Sequence, residues 1–402
     1  MKKSLISILL CVCLCGCQAV ITAPKQTAQK TERTVGVWIS LFEMRSVGLS
    51  KDEFSDKFDK MFQNIKSIGG TDVLCHIRPN GDAYYKSKYF PFSAGLTGTE
   101  GKDPDFDPLE ILIELSHEKG LKFHAWVNPY RASSSIKDIS SLAENHPARV
   151  WLTDKDKRND GNVKIINHET TKTVYFNPAR LEVQKLILDG IREIATNYDI
   201  DGIHMDDYFY PTTEPSFDKE DYDEYCCSAE PPLSLDNWRR TNIDSLISSA
   251  YRICKQNGVL FGISPSAHIS TDGTDKNYTE QYADIKKWLS SAGFADYIVP
   301  QLYFGYEYPL DEFKFSNLLN QWLSMKRDKS VKLFIGLANY KIGDRDADSL
   351  EWTENDDIIA RQTADCFDNG ADGVFLYSYT AIFSDKEINR RETENLKKLL
   401  IK

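Results

Sequence analysis

The chain has 402 residues, a formal net charge of −11 at pH 7 and 12% aromatic residues. So acidic a chain, without a basic tract, argues against nucleic-acid binding and against electrostatic attachment to a membrane. Five cysteines follow Cys17 without CxxC spacing, which excludes a disulfide framework and a zinc site, although adjacent Cys226 and Cys227 could each pair elsewhere.

The N-terminus combines Lys2 and Lys3 with an apolar run of about a dozen residues, too short to span a bilayer. The run ends in Leu-Cys-Gly-Cys, which resembles a bacterial lipobox with cleavage after Gly16 and a lipid, such as palmitate, on Cys17. An ordinary secretory signal is the alternative. We therefore predict a signal peptide at 1–16, a tether at 17–33 and an exported, membrane-anchored lipoprotein of the cell envelope. Loss of both lysines lowers the charge from −11 to −13.

From residue 34 onward, short apolar runs alternate with longer amphipathic segments. Eight runs are predicted to be strands: 35–41, 72–79, 122–131, 200–210, 260–266, 296–304, 332–340 and 373–379. Alternating strands and helices predict a parallel sheet, and eight such units predict a closed (β/α)₈ TIM barrel over 34–402. A large open doubly wound sheet is the alternative. The count of eight and the lack of a glycine-rich phosphate loop after the first strand disfavour it.

Two long insertions interrupt this pattern. Residues 132–180 contain the alternating segments VWLT, VKII and TVYF, which predict a small hairpin over the barrel mouth. Residues 211–235 are acidic and rich in proline, and they are predicted to form a lid or wall. Loops of this length in compact domains are usually functional or disordered.

Alternation along the strands separates side chains that face the helices from side chains that face the barrel axis. The predicted outward set is Cys75, Ile77, Ala125, Val127, Ile203, Met205, Leu302 and Leu337. The predicted inward set is His76, Arg78, His124, Trp126, Asn128, Gly202, His204, Asp206, Gln301, Tyr303, Ala338 and Tyr340. The inward set is polar or aromatic toward the C-terminal strand ends, where barrel active sites are built.

The fourth strand ends in Asp206 and Asp207, followed by three aromatic residues. An inward carboxylate in an aromatic pocket suits proton donation, because desolvation and a neighbouring like charge raise its pKa; it also suits nucleophilic attack at a sugar carbon. The structural alternative is that one aspartate caps the loop or pairs with Arg78 or Arg131. For Asp207 the two interpretations stay open, whereas for Asp206 we favour catalysis.

Glycoside hydrolysis commonly needs two carboxyl groups, about 5 to 9.5 Å apart. Adjacent residues on one strand end are poorly placed to flank a sugar, so the second carboxylate is sought at other strand ends. The candidates are Glu43 and Asp82, with Glu307 as a further choice. Each alone could be a solvated loop acid. The fifth strand carries no carboxylate at its end.

Further polar and aromatic side chains could bind sugar hydroxyl and acetamido groups: Arg78, Asn128, Tyr130, Arg131, His204, Tyr208, Gln301 and Tyr303. His76, His124 and His204 also raise the possibility of zinc, but a buried hydrogen-bond network is the stronger interpretation of histidines in mid-strand. A calcium site in 218–224 is weakly supported, because the spacing matches no known loop. No metal or cofactor is expected.

Taken together, the segments GVWISL, HIRPNGDAYY, KFHAWVNPYR, YFNP, DGIHMDDYFYP, NWRRTNI, FGISP, DYIVPQLYF and FIGLANY resemble the bacterial lipoproteins of glycosyl hydrolase-like family 10. The resemblance covers residues 33–400. It implies a (β/α)₈ barrel, export, and glycoside hydrolysis in the cell envelope, since some relatives are described as cleaving peptidoglycan glycan strands that lack stem peptides. The strand-four motif is also similar to the nucleophile strand of amylase-type barrels, which supports Asp206.

Two functional classes follow from these observations. The first is an exported glycosidase whose polysaccharide substrate is an amino-sugar polymer, with peptidoglycan glycan expected and neutral glucans as the rival. The second is a glycan-binding lipoprotein with an inactive barrel. The second class would be favoured if Asp206 were buried against an arginine with no open cleft.

Overall fold

The computed structural model describes residues 33–270, 274–347 and 349–401. Eight parallel strands close into a barrel in the order β1-β2-β3-β7-β8-β9-β10-β11. They are β1 Thr34–Ile39, β2 Asp72–Arg78, β3 Lys122–Val127, β7 Gly202–Met205, β8 Leu260–Ile263, β9 Tyr297–Ile298, β10 Lys332–Leu337 and β11 Gly373–Leu376. β4 Arg131–Ile136, β5 Val163–Asn167 and β6 Lys172–Phe176 form a separate antiparallel sheet. The closed barrel confirms the predicted (β/α)₈ fold and rejects the open sheet.

Helices surround the barrel. The α-helices are α1 Leu41–Met44, α2 Lys51–Ser67, α3 Ala94–Thr97, α4 Pro108–Glu118, α5 Pro147–Thr153, α6 Leu181–Asn197, α7 Lys219–Ser228, α8 Leu235–Gln256, α9 Lys276–Thr279, α10 Ile285–Ser290, α11 Phe315–Ser324, α12 Glu351–Glu354, α13 Ile358–Asp368, α14 Tyr379–Ile382 and α15 Glu387–Leu400. Short 3₁₀ turns lie at Ile139–Ser141, Lys157–Asn162, Pro215–Phe217, Asp311–Phe313 and Asn339–Lys341. None of the helices within the described ranges is long and apolar enough to cross a membrane.

The barrel wall separates two apolar clusters. The outer one fills the space between strands and helices, and it contains every residue predicted to face outward. The inner one lies on the barrel axis and consists mainly of aromatic side chains: Trp38, Leu74, Trp126, Tyr297, Val299, Phe334 and Phe375. Glycines make room for these rings. A Cβ on Gly262 would lie 1.9 Å from the Tyr297 ring, and one on Gly202 would lie 2.2 Å from His124.

The insertion after β3 contains the expected hairpin, because β5 and β6 carry VKII and TVYF and pair antiparallel. The third segment, VWLT, was expected to be extended and is instead the end of α5. Pro147 at the first turn and the His146 side chain, which accepts a hydrogen bond from the backbone of Ala148, start this helix and override the alternation. The third strand of the sheet is β4, which continues directly from the loop after β3.

The insertion at 211–235 is held by a buried ion pair. Asp218 and Arg239 are both fully buried, and the Arg239 Nε donates to the two Asp218 oxygens at 3.2 and 3.0 Å. The same guanidinium donates to the carbonyl oxygens of Thr213 and Glu214 and to the hydroxyl of Tyr282. The segment that follows β7 is therefore fixed to α8 as a wall of the barrel mouth.

The five cysteines in the described ranges are free, including adjacent Cys226 and Cys227. The predicted signal peptide and the lipidation at Cys17 lie outside the described residues and stay predictions.

Candidate active site

A cavity of about 280 Å³ opens at the C-terminal ends of the barrel strands. Aromatic side chains supply most of its lining, and the two adjacent aspartates supply its carboxylates. The lining residues are Trp38, Trp126, His204, Asp206, Asp207, Tyr208, Ser264, Gln301, Tyr303, Tyr340 and Tyr377. Six of the predicted site residues, on β7 or in the loops that directly follow β7 and β9, are thus brought together here: His204, Asp206, Asp207, Tyr208, Gln301 and Tyr303.

The backbone turns sharply where β7 ends. The Asp206 side chain accepts a hydrogen bond from the backbone N–H of Tyr208, two residues later, at 3.2 Å. Phe209 packs against Trp288, and Tyr210 packs against Tyr282, and both aromatic residues are nearly fully buried. These anchors leave Tyr208, which is 56% exposed, projecting from the turn. The aromatic run therefore fixes the turn and also supplies one ring to the cavity.

Asp206 is 4% exposed, and neutral donors surround it. Trp126 Nε1 donates to its Oδ2 at 3.3 Å, and the amide nitrogen of Asn128 donates to its two oxygens at 2.7 and 2.8 Å. The Asn128 oxygen in turn accepts from Arg131 Nη2 at 2.6 Å. This amide orientation follows from the chemistry of arginine, which has only donors to offer. A neutral amide thus separates the Asp206 carboxylate from the nearest guanidinium.

These surroundings set the proton affinity of Asp206. Burial raises the pKa of Asp206 to about 7, the charge of Asp207 adds to the increase, and Arg131 opposes it. A carboxyl group that titrates near neutral pH is present both as acid and as carboxylate under ordinary conditions, so it can serve in catalysis in either form.

Asp207 is more accessible and lies at the junction between two cavities. Its carboxylate accepts hydrogen bonds from Ser266 Oγ at 2.8 Å, Gln281 Nε2 at 3.4 Å and Gln301 Nε2 at 3.5 Å. Gln301 lines the cavity described above, whereas Gln281 lines a second cavity of about 630 Å³. We call these the catalytic cavity and the side cavity.

The side cavity adjoins the catalytic cavity at Tyr208, which lines both. Tyr175 reaches it from β6, and Arg131 reaches it from the start of β4, so the antiparallel sheet forms one wall. The Arg131 guanidinium lies 5.2 Å from the centre of the Tyr208 ring. No ion pair engages Arg131 within the part of the chain that the structure describes. The side cavity therefore presents a cation beside an exposed aromatic ring.

The floor of the catalytic cavity is a hydrogen-bonded layer. Trp38 Nε1 donates to His204 Nε2 at 3.2 Å, and the Tyr297 hydroxyl lies 3.3 Å from His204 Nδ1. His124 lies between Tyr297 and Asp72, at 2.9 and 3.0 Å. Burial lowers the pKa of His204 well below its ordinary value. The histidines therefore belong to a buried network, and across the described residues no cluster of three or more metal-ligating side chains forms.

The third inward histidine, His76, stacks on Trp126 with the ring centres 3.7 Å apart and the planes 4° from parallel. Burial and the charge of Arg131 lower the pKa of His76 well below its ordinary value. Neutral His76 thus supports the Trp126 ring that donates to Asp206.

Two residues expected to bind substrate lie elsewhere. A β-bulge between His76 and Arg78 shifts the register, so Arg78 pairs with outward-facing Val127. Its guanidinium lies 4.6 Å from the centre of the Phe90 ring and is buried. Tyr130 is fully buried in the outer apolar cluster. The inward prediction for Arg78 is therefore wrong, and neither side chain lines the catalytic cavity or the side cavity.

The candidate second carboxylates also lie outside both cavity linings. Glu43 accepts hydrogen bonds from the backbone of Ser40 at 2.6 Å, from Ser378 Oγ at 2.7 Å and from the backbone of Thr380 at 2.7 Å. It therefore caps α1 and ties it to the start of α14. Asp82 is buried in the loop after β2, where burial raises its pKa, and Glu307 is exposed.

Several residues that line the two cavities are not among the predicted site residues. Alternation along β1 and past the end of β11 would have identified Trp38 and Tyr377, since Gly36 and Phe375 face the axis two positions earlier. Ser264 carries the same signal, because Gly262 faces the axis two positions earlier on β8. Gln281 and Tyr175 carry no comparable signal, because each reaches its cavity only through the path of a loop or an inserted sheet.

Comparisons with known proteins agree with this architecture. The glycoside hydrolase domain of PgaB (BpsB) from Bordetella bronchiseptica superposes with a TM-score of 0.57 over 92% of this chain and 98% of that domain, at 12% identity, a likeness of fold alone. The curated protein glycosyl hydrolase DigH of Escherichia coli (strain K12) is 27% identical, covering 98% of this chain and 94% of DigH.

Glycosyl hydrolase YngK of Bacillus subtilis (strain 168) is 34% identical over 343 residues. That match covers 80% of this chain but only 64% of YngK, so the chain spans less than two thirds of that relative. Residues 34–354 match the family described as Glycosyl hydrolase-like 10. The chain therefore belongs to the glycosyl hydrolase-like 10 family, as its motifs predict, and by enzyme class it is a glycoside hydrolase.

Proposed function

We propose that the protein hydrolyses an amino-sugar polysaccharide, with peptidoglycan glycan strands as its substrate. The observation that carries the proposal is the Asp206–Asp207 pair at the C-terminal end of β7, inside an aromatic cavity. Asp206 titrates near neutral pH there, and barrel glycosidases use carboxyl groups in this position to break glycosidic bonds.

The walls of the catalytic cavity suit a sugar ring with an acetamido group. Tyr303 and Tyr377 lie nearly parallel, with ring centres 5.9 Å apart, and Trp38 meets Tyr377 edge-on. Such flat apolar faces accept the C–H faces of a sugar and an acetamido methyl group. Gln301 and Ser264 add an amide and a hydroxyl group, which can donate and accept hydrogen bonds.

The side cavity supports an acidic amino sugar over a neutral glucan. Arg131 could bind the lactyl carboxylate of muramic acid through a charge-assisted hydrogen bond, while Tyr208 stacks on the sugar. Neutral glucans need no such cation. The expected mature charge of −13 argues against teichoic acid as the main ligand, since long-range repulsion would oppose the approach of so densely charged a polymer.

We also propose that the enzyme acts outside the cytoplasm, anchored by a lipid on Cys17. The support is the lipobox-like sequence that ends in Cys17. An anchored enzyme in the envelope meets wall polymer before any soluble sugar. Replacement Cys17→Ser should abolish acyl labelling and release the protein from membranes, and continued membrane association without a change in labelling would contradict the anchor.

The test of substrate is digestion of a polymer panel, with product masses determined for wild type and Asp206→Asn. The panel contains peptide-stripped wall glycan, intact wall, chitin fragments, and starch or cellulose fragments. We expect wild type to release amino-sugar fragments and Asp206→Asn to release none above background. Cleavage confined to starch or cellulose would refute the amino-sugar substrate.

The glycan-binding alternative makes a different prediction for the same panel, namely tight binding to wall glycan without products. It required Asp206 to be buried against an arginine with no cleft. Instead, Asn128 separates Asp206 from Arg131, and the carboxyl group lines a cavity. The geometry therefore favours the enzyme.

A further inference from the structure

The carboxylates of the catalytic cavity all come from one side. Asp206 and Asp207 are its only acidic lining residues within the described ranges, and they are neighbours in the chain. Their Cα atoms are therefore about 3.8 Å apart, and both side chains approach a bound sugar from the end of β7.

Within the described ranges, the facing wall contributes no carboxylate to the lining of the catalytic cavity, and Glu280 lines the side cavity instead. In the closed barrel, β11 lies opposite β7, and the residue that follows β11 at the mouth is Tyr377. Tyr303 and Tyr340 continue this wall. The nearby acid, Glu43, caps α1 and does not line the cavity.

This distribution conflicts with the two common routes of glycoside hydrolysis. An inverting enzyme needs a base about 6.5 to 9.5 Å from the acid, with room for water on the far face of the sugar. A retaining enzyme with a protein nucleophile needs a carboxylate under the anomeric carbon and an acid beside the leaving oxygen, on separate supports. Neighbouring residues on one strand end satisfy neither requirement well, and the described lining of the catalytic cavity holds no other carboxylate, which favours a nucleophile supplied by the substrate.

We propose that the nucleophile is the carbonyl oxygen of the substrate's own 2-acetamido group, with Asp207 donating the proton and Asp206 holding the amide N–H. This inference rests on the proposed amino-sugar substrate and assigns its mechanism. Asp207 lies where the two cavities meet, between Gln301 and Gln281, so a glycosidic bond that joins sugars in the two cavities passes it. Asp206 lies deeper, beside Trp126, where the acetamido group would enter.

Water is the only reactant that these steps require besides the substrate. The acetamido oxygen forms a bond to the anomeric carbon as the bond to the leaving oxygen breaks, and the Asp207 proton moves to that oxygen. The resulting oxazolinium ion keeps its N–H toward the Asp206 carboxylate. Water then attacks the anomeric carbon and gives one proton to Asp207, and the bond to the acetamido oxygen breaks. The acetamido group is restored, and the β configuration is retained.

Preorganised contacts suit Asp206 to this role. Asn128 and the Tyr208 N–H hold its carboxylate in place, and few water molecules can reach it. A poorly solvated negative charge interacts strongly with a positive charge that develops beside it, as in the oxazolinium ion.

The deciding experiment compares three forms of peptide-stripped wall glycan: native, chemically N-deacetylated, and N-deacetylated and then re-acetylated. We expect the native and re-acetylated forms to be cleaved, and the deacetylated form to react at least about a hundredfold more slowly, since proximity of the internal nucleophile is lost. The first product anomer, observed by NMR, should be β, and N-acetylglucosamine thiazoline, a stable mimic of the cyclic intermediate, should inhibit competitively.

A second comparison tests the two roles. With a dinitrophenyl chitobioside, whose leaving group needs no proton, Asp207→Asn should keep most of the wild-type rate of bond cleavage, whereas Asp206→Asn should remain impaired by a hundredfold or more. The reverse pattern would overturn the assignment of roles. Cleavage of deacetylated glycan at the native rate, or an α product, would overturn this inference alone. Failure to cleave any acetylated substrate would overturn the proposed function, and this inference with it.

Discussion

Two buried aspartates have opposite surroundings: Asp218 lies in the insertion at 211–235, and Asp206 lies at the barrel mouth. Asp218 contacts Arg239 directly, and every N–H of that guanidinium finds an acceptor. Asp206 has only neutral donors around it, with Asn128 between it and Arg131. Removing a charge from water is costly in both places. A direct cation compensates the first charge and makes it structural, whereas the second is left with a raised pKa and can take part in chemistry.

The strongest test of this contrast is Asp206→Asn. The amide keeps the shape of the side chain but has no charge and no exchangeable acid proton, so cleavage of wall glycan should fall on the order of a thousandfold or more. The melting temperature should stay near that of wild type. A matched control is Asp82→Asn, which changes a buried acid outside the cavity and should leave the rate within a few fold. A fully active Asp206→Asn would remove Asp206 from the mechanism, and an unfolded variant would make it structural.

Breaking the buried Asp218–Arg239 pair should reduce the stability of the fold instead of the catalytic rate. Asp218→Ala leaves Arg239 buried without its carboxylate, and we expect unfolding to become easier by about 3 to 5 kcal/mol, measured by urea denaturation. The control on the same helix is Asp223→Asn, since Asp223 pairs with Lys219 at the surface and such pairs contribute about 0 to 1 kcal/mol. Equal losses for the two variants would contradict the structural role of the buried pair.

The pH dependence of stability should distinguish the two aspartates further. Because the pKa of Asp206 in the folded protein is about 7, above its unfolded value of about 4, the folded state binds this proton more tightly. Its contribution to stability is therefore greatest below pH 4 and is lost as pH rises toward 7, by about 1.4 kcal/mol for each unit of pKa difference. The free energy of unfolding of Asp206→Asn minus that of wild type should therefore be larger at pH 8 than at pH 5. A difference that does not vary with pH would contradict the raised pKa.

The smallest effect is expected from replacing Arg131, the cation that Asn128 separates from Asp206. Arg131 lowers the pKa of Asp206. In Arg131→Gln, the limb of the pH profile of kcat/KM that reports the titration of Asp206 should therefore move upward by roughly one pH unit. Arg158→Gln, at an exposed site, is the control and should leave the limb in place. An unchanged limb in Arg131→Gln would show that the amide screens Asp206 from the guanidinium completely.

The fold was predictable because its signals are local and repeated. Every predicted strand overlaps a strand of the barrel, and alternation placed Asp206, His204 and Trp126 on the inner side. The prediction failed for Arg78, because a single extra residue in a bulge reverses the face of every position after it. It failed for VWLT because capping at the start of α5 outweighs the pattern of apolar residues.

The sequence by itself thus determined the barrel, the two aspartates at the end of β7 and the family. Only the tertiary structure decided how those aspartates are used. The separation of Asp206 from Arg131 by an amide, the engagement of Glu43 in capping α1, and the meeting of two cavities at Asp207 all depend on segments far apart in the chain. Sequence spacing cannot report these contacts, because the pKa and reach of a carboxyl group depend on its neighbours in space, which the closure of the barrel brings together.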